Sequence, residues 1–222
     1  MKTVEITLYD IFGYFIPGCV ALIAVYLIAW RAVLPANQDW ITISTLGWII
    51  VAGVAYIMGH FLQALSNVLY SFIWKNPEQC ILADISLVPS NILSVAQKAA
   101  RQAIHISEND DINTKTLYEI MDHYIQQYGK TESRDIYIYR EGFYRGLSVG
   151  FFFLAIGSLV HMTGGQTIAA AFGGIITLTK PCMGFVAVLS LIIALLAGVR
   201  YQRFATYRVK NCLFSFLAIC KN

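Results

Sequence analysis

Charge is what this chain has least of. Asp, Glu, Lys and Arg together make up 13% of its 222 residues. Three stretches, Thr45–Phe61, Leu147–Met162 and Cys182–Val199, carry none at all, and a fourth, Phe12–Leu34, carries only Arg31. A water-soluble domain of this size cannot leave so much of its length uncharged, so an ordinary globular protein is excluded. Other absences narrow the chemistry. There is no GxSxG, HExxH, P-loop or GxGxxG spacing, so nothing points to hydrolase, zincin, nucleotide or dinucleotide work. The five cysteines (Cys19, Cys80, Cys182, Cys212, Cys220) are odd in number and show no CxxC spacing. That pattern fits neither a disulfide framework nor a zinc site and reads as small apolar residues in a reducing cell. No metal and no cofactor is expected. The N-terminus also lacks a basic run, since Lys2 is offset by Glu5 and Asp10, so the first apolar stretch reads as a retained helix and not a cleaved signal.

What the chain has in excess is hydrophobicity: 57% of residues are apolar and mean hydropathy is +0.60. A helix rises about 1.5 Å per residue, so about twenty apolar residues cross a ~30 Å hydrocarbon layer. The four stretches therefore predict an all-α, multi-pass membrane protein with four transmembrane helices in two hairpins. Its expected parts are an N-terminal hairpin (1–74), a cytoplasmic helical insert (75–146), a C-terminal hairpin (147–199) and a basic amphipathic tail (200–222). Gln166–Thr179 is apolar too, but it is short and carries Gly173-Gly174 at its centre. It is expected as an external interfacial or re-entrant segment, not a fifth crossing.

Orientation follows from the basic residues, which are retained on the cytoplasmic side. The connection Arg31–Ile43 holds one base and one acid, and Thr163–Pro181 holds only Lys180. The insert holds Lys75, Lys98, Arg101, Lys115, Lys130, Arg134, Arg140 and Arg145, and the tail adds Arg200, Arg203, Arg208, Lys210 and Lys221 without an acid. Both termini and the insert are thus expected in the cytoplasm.

Inside the insert, Pro89-Ser90-Asn91 can open a helix to about His105, and a second helix should run from Thr114 to Tyr128, ended by Gly129. Its Leu117, Ile120, Met121, Tyr124 and Ile125 share one face. A third begins near Thr131–Ser133 and continues into the third membrane helix. Glu108–Asp111 reads as a solvated turn, because the ligand spacing of a calcium loop is missing. Arg101 and His105, four apart, read as a solvated pair and not a catalytic one.

Three sets of residues are candidates for function. Gly53, Tyr56, His60, Gln63 and Asn67 recur at three- and four-residue spacing on the second membrane helix, so they form a polar seam. It could line a conduction or ligand pathway, with His60 as its titratable group, or supply interhelical hydrogen bonds. Gly142, Gly146, Gly150 and Gly157 form a small-residue row, echoed by Gly184, Ala187, Ala194 and Gly198, for close helix packing within or between subunits. Arg200, Arg203, Arg208 and Lys210 alternate with aromatics and are expected to touch anionic lipid headgroups. Nucleic acid would suit the same chemistry, but proximity to a membrane helix favours lipid.

The segments Leu8-Tyr9-Asp10-Ile11-Phe12-Gly13-Tyr14-Phe15-Ile16-Pro17-Gly18 and Gly59-His60-Phe61-Leu62-Gln63-Ala64-Leu65 resemble parts of small bacterial inner-membrane proteins of anti-phage defence islands. The two-plus-two layout resembles the four-helix membrane subunit of the Kiwa system and, more loosely, is similar to membrane accessories of RNA-targeting CRISPR systems. The resemblance implies an oligomeric, non-enzymatic sensor or effector of the inner membrane, a tetramer by preference, working with a cytosolic partner protein and not directly on nucleic acid. A channel or small-solute transporter subunit is the alternative from another class.

The charge pattern makes one outcome checkable. Alkaline phosphatase fused within Glu108–Asp111 or after Asn222 should stay inactive while a fluorescent protein at the same points lights up. Fusion at Gln38 should reverse both signals.

Overall fold

The structure, a computed structural model, describes residues 3–33, 44–105, 112–128, 132–163, 168–171 and 176–221. Seven helices follow in order: α1 (Thr3–Val33), α2 (Thr45–Ile73), α3 (Pro77–Ala83), α4 (Ser90–Ala103), α5 (Thr114–Gln127), α6 (Glu132–Thr163) and α7 (Lys180–Cys220). Two short strands, β1 (Ile168–Ala171) and β2 (Ile176–Leu178), lie between α6 and α7 and pair antiparallel. The segment Gln166–Thr179 therefore contains a strand pair. β-branched Ile168, Ile176 and Thr177 favour that choice. Gly173-Gly174, Glu108–Asp111, Gly129 and Thr131 lie outside the described residues.

Among the described residues three helices, α2, α6 and α7, are long and apolar enough to cross a membrane, which places the chain with membrane proteins. The apolar part described in α1 is Gly13–Ala29. The chain divides into two compact units. One comprises residues 1–67 and 142–200, the other 68–141 and 201–222.

In the first unit the helices meet through small residues. A Cβ on Gly18 would lie 1.8 Å from the Ala55 carbonyl oxygen, and one on Gly59 would lie 1.9 Å from that of Tyr14. Hence α1 and α2 run antiparallel with their backbones in contact, a spacing only glycine permits. On α6, Gly146 lies against the Pro17 ring, Gly150 against Leu62 and Val20, and Gly157 against the Ala24 carbonyl. These contacts advance together along both chains, so α6 is parallel to α1. Ser148 Oγ donates to the Ala194 carbonyl at 2.8 Å, and Met162 lies beside Gly184, so α7 returns antiparallel to α6. The core of this unit is Val20, Ala24, Leu27, Leu154 and Met183.

Its outer positions are large and apolar: Ile57 is 69% exposed, Phe61 64%, Phe185 67% and Leu195 65%. Ser66, Ser158 and Ser190 are buried. Polar inside and apolar outside is the arrangement that hydrocarbon selects as solvent.

The second unit has a conventional apolar core. Leu117, Met121 and Ile125 of α5 pack with Ile81 and Leu82 of α3, Ala96 and Ala100 of α4, and Ala205, Val209, Cys212, Leu213 and Phe216 of α7. Local signals fix the helix starts. Asn113 caps α5 by accepting the Thr116 N–H at 2.8 Å, and Pro77 opens α3 after Asn76, whose φ is 48°. Helix α4 ends at Ala103, two residues before the left-handed His105. The expected boundaries need one correction. The expected amphipathic tail is, as far as Cys220, the end of the 41-residue helix α7 and not a part of its own, and its Tyr201, Ala205, Val209, Cys212, Phe216 and Ile219 are buried. Its apolar stripe is consumed by the insert, which finds there the core it could not build alone.

The close approach of α1 and α2 predicts sharp mutational contrast. Gly18→Ala or Gly59→Ala should destabilise the detergent-solubilised protein by about 1–3 kcal/mol through backbone overpacking. Gly13→Ala, where a Cβ meets nothing within 4 Å, should shift stability by less than about 0.5 kcal/mol. Thermal unfolding followed by circular dichroism separates the two outcomes.

Candidate functional site

The most organised polar constellation lies in the second unit, around Arg208. On α7 this residue belongs to the buried stripe, and its side chain is only 10% exposed. Its Nε donates to Glu141 Oε2 of α6 at 2.7 Å, and its Nη2 donates to Glu78 Oε1 of α3 at 2.6 Å. Its Nη1 donates to the Tyr118 hydroxyl of α5, and the guanidinium also lies 5.5 Å from the Tyr118 ring centroid. One cation thus joins four helices, with a planar fork matching two carboxylates and a phenol.

The electrostatics follow from that geometry. Burial alone would ease the proton off Arg208, but Glu141, Tyr118 and Glu78 outweigh it, and the guanidinium is held more firmly charged than an ordinary arginine. Burial pushes the Tyr118 phenol above its usual range, although the neighbouring Arg208 pulls the other way. A second pair reinforces the join between α5 and α6. Arg134 grips Asp122 through Nε and, at 2.7 Å, Nη2, and it donates to Asp135 at 3.0 Å.

These placements correct the expectation that Arg208 touches lipid. A guanidinium only 10% exposed, paired with buried Glu141 and half-buried Glu78, is engaged inside the unit and not with a headgroup. Arg200 and Arg203 are exposed and Lys210 is half-buried. The signal for Arg208 was present in the sequence, because its position falls in phase with Ala205, Cys212 and Phe216. Hydropathy reading takes any arginine beside a membrane helix as headgroup-facing and misses this. Nothing in the sequence paired it with Glu78 or Glu141, which lie 130 and 67 residues away.

The polar seam of α2 divides. His60 stacks on Tyr14 with ring centroids 3.8 Å apart, and Tyr56 meets His60 edge-on at 4.7 Å and Tyr14 at 6.1 Å. Gln63 reaches toward α6, where a Cβ on Gly142 would fall 2.5 Å from its Nε2. Gly53 and Asn67 are exposed. The buried stripe of α2 is instead Ala55, Gly59, Leu62 and Ser66, one residue back along the helix. The seam therefore supplies helix contacts at Tyr56, His60 and Gln63. Gly142, Gly146, Gly150 and Gly157 are all occupied by α1 or α2 of the same chain, so they leave no row open to another subunit.

Among the described residues no group of three His, Cys, Asp or Glu is placed to hold a metal ion. Arg101 and His105 are not joined by a hydrogen bond there; Arg101 is half-buried and His105 exposed. No protein-family profile, curated protein or solved structure matches the chain, so its own residues carry the functional reading.

The Arg208 cluster predicts a strong asymmetry between charge removals. Arg208→Gln removes the cation that Glu141, Glu78 and Tyr118 share and should cost about 3–5 kcal/mol, whereas Arg208→Met combined with Glu141→Gln should recover much of that loss. Exposed Arg203→Gln should change stability little. Raising pH offers an independent check through Tyr118. Its contribution is complete below the ordinary tyrosine value of about 10 and is lost as pH rises from there toward its raised folded value. Thermal melts across that range should show the decline, and Tyr118→Phe should flatten it.

Proposed function

We propose that this protein is an oligomeric inner-membrane sensor or effector of bacterial anti-phage defence, coupling perturbation of the membrane to a cytosolic partner protein. In this reading α1 is a fourth crossing beside α2, α6 and α7, and both termini and the α3–α5 insert are cytoplasmic. The alternating helix directions of the first unit support an even number of crossings, and the concentration of Lys and Arg in the insert and the C-terminal segment, against only Arg31 and Lys180 in the other two connections, supports the sidedness.

The Arg208 cluster is the observation that carries the coupling role. Arg208 lies on the helix that bears the last apolar run, and Glu141 lies on the helix that bears the third. The same guanidinium holds α3 and α5. Any change in the packing of α6 against α7 alters a set of pairs that also positions the insert. Packed ion pairs of this kind exchange between discrete arrangements and do not deform smoothly, which suits a switch. The assembly number, a tetramer, rests on the resemblance. With the glycine rows filled internally, subunit contacts would fall on the outward apolar faces.

Expressed with its neighbouring genes, the wild type should reduce phage plating. Glu78→Gln, which leaves Arg208 paired with Glu141, should weaken protection while membrane abundance stays unchanged. Unaltered plating by the wild-type operon would contradict the defence role. Unaltered protection by the variant would contradict the role of the cluster.

A further inference from the structure

With Arg208 withdrawn into the core, exposed Arg203 of α7 and exposed Arg140 of α6 share an aromatic frame. On α6, Arg140 holds its guanidinium 5.6 Å from the Phe204 ring centroid. On α7, Arg203 donates from Nε to the Tyr207 hydroxyl at 2.9 Å, with its guanidinium 5.7 Å from the Tyr207 ring. Tyr137 closes the group, its ring centroid 6.0 Å from Tyr207 and 6.5 Å from Phe204. All five belong to the second unit. Arg140 and Arg203 are both exposed, and neither makes an ion pair among the described residues.

We propose that Arg140 and Arg203, set against Tyr137, Phe204 and Tyr207, form a binding site for the phosphate of an anionic phospholipid headgroup. The neighbouring rings hold the two guanidiniums at little further entropic cost and leave N–H groups for phosphate oxygens. α7 contains no Asp or Glu to compete. Lipid is favoured as the source of that phosphate by position. Arg203 lies four residues beyond Val199, where the α7 apolar run ends, and Arg140 lies seven before Leu147, where that of α6 begins. About one to two helical turns from hydrocarbon is headgroup depth, where tyrosine and arginine concentrate. The site rests on the membrane reading given above and adds residues of α6 to a contact the sequence had assigned to the tail alone.

The test uses the full chain in phosphatidylcholine nanodiscs with and without phosphatidylglycerol. Native mass spectrometry reads the retained lipid, and thermal unfolding reads the stabilisation. The wild type should retain phosphatidylglycerol over phosphatidylcholine and unfold at higher temperature when it is present. R140Q/R203Q should lose that preference by roughly thirty-fold, as expected for two bases near an anionic surface, while melting unchanged in phosphatidylcholine alone. Equal retention of the two lipids by the wild type, or an undiminished preference in the double variant, would overturn the site. So would equal stabilisation by inorganic phosphate, or displacement of the lipid by an RNA oligonucleotide. Release of the wild type from cell membranes by alkaline carbonate would instead defeat the membrane reading itself, and the site with it.

Discussion

Lipid gives apolar side chains no reason to come together, and the first unit is built around that constraint. Its helices associate by letting backbones touch, with Gly18 at Ala55, Gly59 at Tyr14 and Gly157 at Ala24. Dispersion over a close, long contact replaces the hydrophobic drive that water would supply. The large side chains are left outside, as at Ile57 and Phe61, and hydroxyls such as Ser148 and Ser158 bond to carbonyls within the bundle. Pro17 stands in the middle of α1, buried with its ring against Gly146.

The second unit obeys the opposite rule. Large apolar residues such as Phe216, Leu117 and Met121 are gathered inside, and Arg208, a charged group admitted to the interior, is paired there with buried Glu141. Replacing such a cluster with apolar residues often leaves stability unchanged or raised, so its retention speaks for specificity more than for strength. Here the specificity concerns which faces of α3, α5, α6 and α7 meet. A core of alanines and leucines alone would leave neighbouring helical registers close in energy. An arginine that must satisfy Glu78, Glu141 and Tyr118 together removes that freedom.

Much of this was legible from residue spacing. Helix α5 follows the period of Leu117, Met121 and Ile125, and its cap at Asn113 falls immediately before the expected start. The glycine row of α6 was readable as a packing surface, though not whose surface it met, because GxxxG spacing is the same for a neighbour within the chain and one outside it. The buried stripe of α2, Ala55, Gly59, Leu62 and Ser66, lies one residue before the polar seam. Polar Tyr56, His60 and Gln63 draw attention, while the residues that determine the crossing, Ala55 and Gly59, carry no chemistry to notice. The end of α7 was misread for a related reason. Bases alternating with aromatics look like a surface helix until one asks where Ala205, Cys212 and Phe216 would go. No local pattern announces the strand pair Ile168–Ala171 and Ile176–Leu178, since a short apolar stretch satisfies strand, helix and re-entrant readings alike.

The account depends on hydrocarbon, not water, facing the large side chains of the first unit. Spin labels at Ile57→Cys and Phe61→Cys, on a background with the native cysteines replaced by serine and reconstituted in vesicles, report this through collision with oxygen and with a water-soluble nickel chelate. Both positions should be relaxed strongly by oxygen and shielded from nickel, while a label at Ile85→Cys in the second unit should show the reverse. Nickel access at Ile57 and Phe61 equal to that at Ile85 would contradict the account.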